Sequence, residues 1–490
     1  MNISMRNLLF FLFLYSSCFC LSAKQSNLVI VMTDEHNFRT LGCYRDTLSE
    51  DQAFVWGKGV KVDTPNIDAL AKEGALLTSF YVSSPVCSPS RAAFVTGLMP
   101  HLTGVPTNSI PMHGHMVTFA DLLGRNGYAT SYIGKWHLDG IGKPQWAPER
   151  KFGWQDNRFM FNRGHYKKMA ETEHGAKVDA PKGRDGIPGY QVGGADEESY
   201  ATDFLMDRTL DFIRNNKDNP FCVMISLPDP HGPNTVRDPY WEKYQGTKFS
   251  EPITMFKTDE QNPEWSTFVG NNYIKDSKVN QDQFAAIFGM VECIDDNIGR
   301  LLAELKSLDL EDDTIVVFTS DHGDLMGEHR RHNKGVPYEA SAKVAFLVKK
   351  PKQVKAGKLI HSVMTSVDVG PTLMSMMGIE DSLPGTQGKD LSNWFESGSA
   401  VVKEERVTYI RGTTMHPTWV AAVSDDYKLV VSDKDSPWLF DLKKDPDELI
   451  NFYDHKNYKR IREKMTTALK MEMERASEPA LQIDGYKKWL

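Results

Sequence analysis

The stretch Asn27–His36, NLVIVMTDEH, decides the architecture. It is a continuous apolar run of strand length that ends abruptly on a carboxylate, Asp34. A strand that is apolar on both faces belongs in the middle of a parallel sheet covered by helices. Three other stretches have the same form. Pro220–Pro233, PFCVMISLPDPHGP, ends near Asp229 and His231. Asp312–Asp324, DDTIVVFTSDHGD, ends on Asp321 and His322. Gly127–His137, GYATSYIGKWH, ends on Lys135 and His137. Helical patterns lie between them, such as PNIDALAKEGA (Pro65–Ala75) and QFAAIFGMVECIDDNIGRLLAELKSL (Gln283–Leu308). This alternation predicts an α/β fold with a large, mostly parallel sheet flanked by helices. Ligands in such sheets sit beyond the carboxyl ends of the strands. One acid or cap at a strand end is ordinary; four strands delivering acids, histidines and a lysine there predict a polar active centre.

The flanking sequence divides the chain. The first residues, MNISMRNLLFFLFLYSSCFCLSAKQ, carry one basic residue, a short apolar core and small residues before Lys24, the pattern of a cleaved export signal over 1–23. The expected location is periplasmic or secreted, with lipid attachment at Cys18 as the weaker alternative. The apolar run is short for a bilayer span. The catalytic body is expected over 24–395. After Gly388–Phe395, GKDLSNWF, short alternating strands follow in RVTYIRG, WVAAVSD, YKLVVSD and PWLFDL, then a terminal helix around NYKRIREKMTTALKMEMERA. They predict a smaller α+β unit over 396–490 with an antiparallel sheet. A net charge of −8 argues against a nucleic-acid partner, so an anionic substrate needs local positive charge. Six cysteines, two of them in the leader, are too few and too irregular for a disulfide framework or a structural zinc site.

Cys87 stands in Ser83–Gly97, SSPVCSPSRAAFVTG, just ahead of a helical pattern. Its surroundings PVCSPSR (Pro85–Arg91) and GYATSYIGKWH resemble the paired motifs of the sulfatase family, in the alkaline phosphatase superfamily. MTDEH with SDHGD resembles that family's metal site, and DPHGP and HNKGVPYEAS (His332–Ser341) extend the resemblance over most of the chain. The resemblance implies that a formylglycine-generating enzyme oxidises Cys87 to Cα-formylglycine. The hydrated aldehyde is a geminal diol: one hydroxyl attacks sulfur, and the other loses its proton to expel sulfate as the aldehyde reforms. A sulfated serine has no such exit.

The resemblance also implies one calcium ion held by Asp34, Asp321, His322 and the modified Cys87. Calcium takes about 6–8 ligands, mostly oxygen. Glu35 stands where many members have a second aspartate and joins the candidate ligands. Arg91, one turn beyond Cys87, would hold the nucleophile and ligands. Lys135 and Lys334 correspond to sulfate clamps, His231 to the acid for the leaving alcohol, and His137 to the base for formylglycine release. The activity implied is hydrolysis of O-sulfate monoesters. An exported setting and aromatic, polar loops suggest a sulfated carbohydrate. Rival readings are a phosphonate monoester or phosphodiester hydrolase on the same scaffold and an inactive glycan-binding homologue. The loop from Trp146 to His165 is expected to form the sugar subsite, with Trp146, Trp154, Phe159 and Phe161 stacking and Arg150, Arg158, Arg163 and His165 bonding. His101, His113, His115, Arg330, Arg331 and His332 are weaker substrate candidates, each more readily read as a polar loop residue.

Overall fold

The computed structural model describes residues 25–267, 273–396 and 398–490, so the expected leader lies outside the described residues. A nine-stranded sheet forms the body. Its spatial order is Val401–Val402, Lys358–Ile360, Ala75–Leu77, Phe346–Lys349, Thr314–Ser320, Asn27–Asp34, Phe221–Pro230, Ala129–Lys135 and Met160–Phe161. Phe346–Lys349 runs antiparallel to both neighbours; the other pairings are parallel. The predicted mixed, mostly parallel sheet is the one found. The four strands read from sequence are consecutive in it, so their carboxyl ends open on one edge.

Strand parity builds the two cores. Val29, Val31, Val223, Ile225, Val316 and Phe318 face one layer. Leu28, Ile30, Met32, Cys222, Met224, Ile315 and Val317 face the other. Each strand thus buries apolar side chains on both faces, at about 1.5–3 kcal/mol per large side chain, which explains runs without alternation. The helices Pro65–Glu73, Ala201–Asn216 and Gln281–Ser307 cover the first face, and Phe119–Arg125 and Ser366–Met376 the second. The helix Cys87–Thr96 packs against Ser366–Met376, and every one of its residues is buried.

The C-terminal sheet, Thr408–Arg411, Trp419–Val423, Tyr427–Ser432 and Trp438–Asp441, is antiparallel in chain order. Val420 and Ala422 face the helix Lys459–Arg475, while Trp419, Ala421 and Val423 face the body. Lys428, buried on this sheet, donates to Glu339 at 2.7 Å and Glu448 at 2.8 Å, locking the sheet to the body. The chain rejoins the large sheet beyond Phe395, through Val401–Val402. Cys43, Cys87, Cys222 and Cys293 are free thiols, so no disulfide is needed among the described residues. No helix among those residues is long and apolar enough to cross a membrane.

Close approach of the two strands that carry Lys135 and His231 requires Gly134. Its φ is +100°, and a Cβ there would lie 2.0 Å from the Ser226 carbonyl oxygen. Gly134→Ala is expected to cost about 2–4 kcal/mol through strain and backbone displacement. A thermal melt should shift downward by several degrees; a curve superimposable on wild type would contradict this reading of the sheet.

Candidate active site

The site forms where four strand ends meet the N-terminus of the Cys87 helix. Two strands overrun into left-handed residues, Glu35 (φ 60°) and His137 (φ 63°), which turn the chain sharply at the sheet edge. Such non-glycine positions cost about 1–3 kcal/mol each and persist only where their surroundings hold them. Glu35 N–H donates to Asp321 Oδ1 at 3.2 Å, and His137 N–H to the Asn162 carbonyl at 2.7 Å.

Asp34 and Asp321 are fully buried and adjacent. Arg91 binds both: Nε donates to Asp321 Oδ2 at 2.8 Å and the second terminal nitrogen to Asp34 Oδ2 at 3.1 Å. Its remaining nitrogen donates to the Lys135 carbonyl and to Ser226 Oγ, both at 2.6 Å. All three guanidinium nitrogens are engaged, and although burial works against its charge, Asp321 and Asp34 keep it charged. Lys135 Nζ also bonds Asp34 Oδ2. Burial would raise the Asp34 carboxyl, but Lys135, His231, Arg91 and His165 carry it well below the usual range. Burial and the neighbouring Asp34 raise Asp321.

Cys87 Sγ lies 3.1 Å from His322 Nε2. Burial works against its thiolate, yet Lys135 and Lys334 bring the thiol well below its ordinary value. Burial also works against charge on His322, while Asp321 pushes it up to about 9. Ser88, next on the helix, donates its N–H to Asn108 Oδ1 at 2.9 Å and its hydroxyl to the His137 carbonyl at 2.8 Å. Both ring nitrogens of His137 are buried without a hydrogen-bond partner. Burial lowers that imidazole to about 4.

Ligand atoms of Asp34, Cys87, Asp321 and His322 all lie within 4.8 Å of one another. Glu35 falls outside this group. Its Oε2 accepts from Lys334 at 2.9 Å and lies 2.8 Å from His231 Nε2. Burial would raise Glu35, but His231 and Lys334 bring it down to about 2. Asp34 Oδ1 and Glu35 Oε1 are buried and accept no hydrogen bond. Orphaned anionic oxygens of this kind are costly unless a cation meets them, so the acidic donor set fits a divalent ion.

A second cluster faces the opening. Lys334 Nζ lies 2.8 Å from His231 Nε2, and Lys135 Nζ lies 2.7 Å from His165 Nε2. The His165 and His231 rings stack in parallel at 3.6 Å. His231 Nδ1 is fixed by the Gly232 carbonyl at 2.7 Å, so Nε2 is the nitrogen presented to the site.

The sequence-derived set Asp34, Glu35, Cys87, Arg91, Lys135, His137, His231, Asp321, His322 and Lys334 therefore converges. The 146–165 loop differs from expectation. Trp154 is fully buried against Phe119 and Tyr132, and Phe161 is buried between Trp146 and Tyr166. Phe159 packs on Phe204. Arg150 binds Asp139 and the Met112 carbonyl, and Arg158 binds Asp156. Only His165 of this loop enters the cluster. His101 bonds the Ala476 carbonyl and faces Glu478, a tie to the C-terminal unit. Arg330 bonds the Ile274 and Lys275 carbonyls, and Arg331 the Ser266 carbonyl. Burial lowers His332, while Glu35 counters it. His113 and His115 are exposed and stack on each other. Asn108, Ser226 and Tyr132 were not legible as site residues, because each is an ordinary polar side chain whose role comes only from what it touches.

The pattern of the family described as Sulfatase matches residues 26–379. This chain belongs to the sulfatase family. The sulfatase pattern is followed by an overlapping one, N-sulphoglucosamine sulphohydrolase, C-terminal, over residues 327–475. Among sulfatases, an uncharacterized one, YidJ of Escherichia coli (strain K12), is 28% identical over 93% of this chain and 88% of its own. The N-acetylglucosamine-6-O-sulfatase of Bacteroides thetaiotaomicron is 25% identical over 89% of this chain and 84% of its own. A solved structure of a complex with its substrate D-glucosamine-2-N,6-O-disulfate shares the fold, with a TM-score of 0.75 and 23% identity, covering 95% of this chain and all of the other. The enzyme class is sulfuric ester hydrolase.

Arg91→Lys should lower kcat/KM for a sulfate ester by roughly 10²-fold or more, because a point charge cannot hold both carboxylates and the Lys135 carbonyl together. Steady-state kinetics check this; wild-type turnover would show that the fork is dispensable.

Proposed function

We propose that this sulfatase hydrolyses O-sulfate monoesters on a carbohydrate, using Cys87 matured to formylglycine and one calcium ion. The observation that carries the reading is the pairing of two clusters across one helix N-terminus. A dication-seeking set lies on one side and an anion-seeking set, Lys135, Lys334, His231 and His165, on the other. Sulfur ester hydrolysis needs both.

Asp34, Asp321 and His322 would hold the ion, with Glu35 Oε1 available to it. Bound there, calcium supplies Lewis-acid neutralisation of sulfate charge and lowers the nucleophile's pKa. A thiol is the one soft donor in this set, and calcium prefers oxygen. Replacing the sulfur of Cys87 by the oxygen of formylglycine removes the mismatch and supplies the nucleophile. Arg91 keeps the acidic groups in place. Lys135 and Lys334 hold sulfate oxygens by charge-assisted hydrogen bonds. His231, anchored through Nδ1, gives the leaving alcohol a proton from Nε2. His137, with free ring nitrogens and an imidazole lowered by burial, is suited to remove the proton that lets sulfate depart. The residues 1–23 would direct export.

A matched pair of aryl esters tests the reaction class. The sulfate monoester should be turned over with the higher kcat/KM, Cys87→Ala should abolish that turnover, and the Cys87 peptide should carry an aldehyde in place of the thiol. A higher value for the phosphodiester or phosphonate would favour a phosphorus-ester hydrolase. Undiminished turnover by Cys87→Ala would end the formylglycine reading.

The carbohydrate reading rests on the 25%-identical N-acetylglucosamine-6-O-sulfatase and on a surface beside the site. Tyr190 is half-buried, its ring 6.4 Å from that of His165, with Lys143 Nζ 4.8 Å from the Tyr190 ring. It takes over the stacking role expected of the buried loop aromatics. Tyr190→Ala should reduce kcat/KM for a sulfated sugar by about 5–50-fold, equivalent to about 1–2.3 kcal/mol of ring contact, and spare a small aryl sulfate. Equal loss on both substrates, or none, would remove Tyr190 from the subsite.

A further inference from the structure

The Asp34, His165 and His231 ligand atoms also lie within 4.8 Å of one another, which at first sight offers a second metal position. The ammonium groups argue otherwise. Lys135 Nζ sits 2.7 Å from His165 Nε2 and Lys334 Nζ 2.8 Å from His231 Nε2. Lys135 occupies the lone pair that a cation would need on His165, and both ammonium groups repel a cation at that position. The grouping is cationic in character and needs another explanation.

We infer that His165 is a positioning residue for the two groups that handle the substrate ester, stacking on His231 to fix its ring plane and accepting from Lys135 to fix its ammonium. The inference rests on the proposed sulfatase reading and deepens it at the same site. A lysine ammonium has donors and no acceptor, so His165 Nε2 must be the unprotonated nitrogen and the ring proton sits on Nδ1. Lys135 is thereby held from two sides, by Asp34 Oδ2 and by His165 Nε2. His231 is held from three. The Gly232 carbonyl takes Nδ1 at 2.7 Å, Glu35 and Lys334 meet Nε2, and the His165 ring lies parallel to it at 3.6 Å and 6°. Hydrogen bonds in the plane of an imidazole leave its tilt free, and a stacked ring removes that freedom. Parallel rings this close tolerate one positive charge, not two. Both side chains are 19% exposed, so the pair stands at the mouth, where the leaving alcohol departs. His165 reaches this point because its loop returns beside the Ala129–Lys135 strand, with Met160–Phe161 pairing to Gly134–Lys135.

Leaving-group dependence separates this role from a merely structural one. An activated nitrophenyl sulfate departs without help, whereas an alkyl or sugar sulfate needs a proton from a well-aimed acid. Purified, matured enzyme is assayed with a series of sulfate esters spanning leaving-group pKa. His165→Ala should lose roughly 10²-fold in kcat on the alkyl ester but only about 3-fold on the nitrophenyl ester, steepening the slope of log kcat against leaving-group pKa. His165→Phe keeps the stacked ring and should restore the slope while leaving KM raised. His165→Gln keeps an acceptor for Lys135 and should restore KM while leaving the slope steep. Melting curves confirm that each variant is folded. An unchanged slope in His165→Ala, whether all esters slow equally or none does, would overturn the inference and leave the sulfatase reading intact. Absence of sulfate ester turnover by the matured wild-type enzyme would overturn both.

Discussion

Two aspartates, Asp34 and Asp321, sit side by side with no solvent exposure, and Arg91 is the side chain that makes this tolerable. Burying two like charges costs several kcal/mol per ion unless excellent geometry returns it. The guanidinium fork meets one oxygen of each carboxylate and spends its last donors on the Lys135 carbonyl and Ser226. One side chain thus ties the Cys87 helix to the ends of four strands. It satisfies one side of the acidic pair, while Asp34 Oδ1 remains without a partner. The site is balanced for one further positive charge.

That balance explains the divided character of the pocket. Acids and His322 gather on the side of Arg91, whereas Lys135, Lys334, His231 and His165 gather toward the opening. Glu35 sits on the boundary, one oxygen on Lys334 and one without a partner. Its side chain is one methylene longer than an aspartate's, and with that reach it meets the lysine and His231.

The fold was legible because parallel strands buried on both faces leave a signal that few other elements imitate: Val, Ile, Leu and Phe without alternation, ending on a charge. Parity along Asn27–Asp34 then divides cleanly between the two core layers. The site was legible for the same reason, since its residues lie within a few positions of strand ends and the sheet order brings those ends together. The loop from Trp146 to His165 was not. Its tryptophans and phenylalanines look identical in sequence whether they face a sugar or a core, and burial of large apolar area decided for the core at Trp154 and Phe161. Arg150 and Arg158 found carboxylates of their own, Asp139 and Asp156, close by in sequence. His165 was legible as a polar loop residue near the substrate but not in its role, because that role comes from the stacked ring of His231, 66 positions further along the chain.

The central claim is that the acidic half of the pocket is built for a single calcium ion. Elemental analysis of purified, matured enzyme, before and after chelation and beside Asp321→Asn, tests it directly. The account predicts one calcium per wild-type chain, lost with activity in chelator, regained with activity on adding calcium, and absent from Asp321→Asn. Full activity in a chelated sample that contains no metal would contradict it.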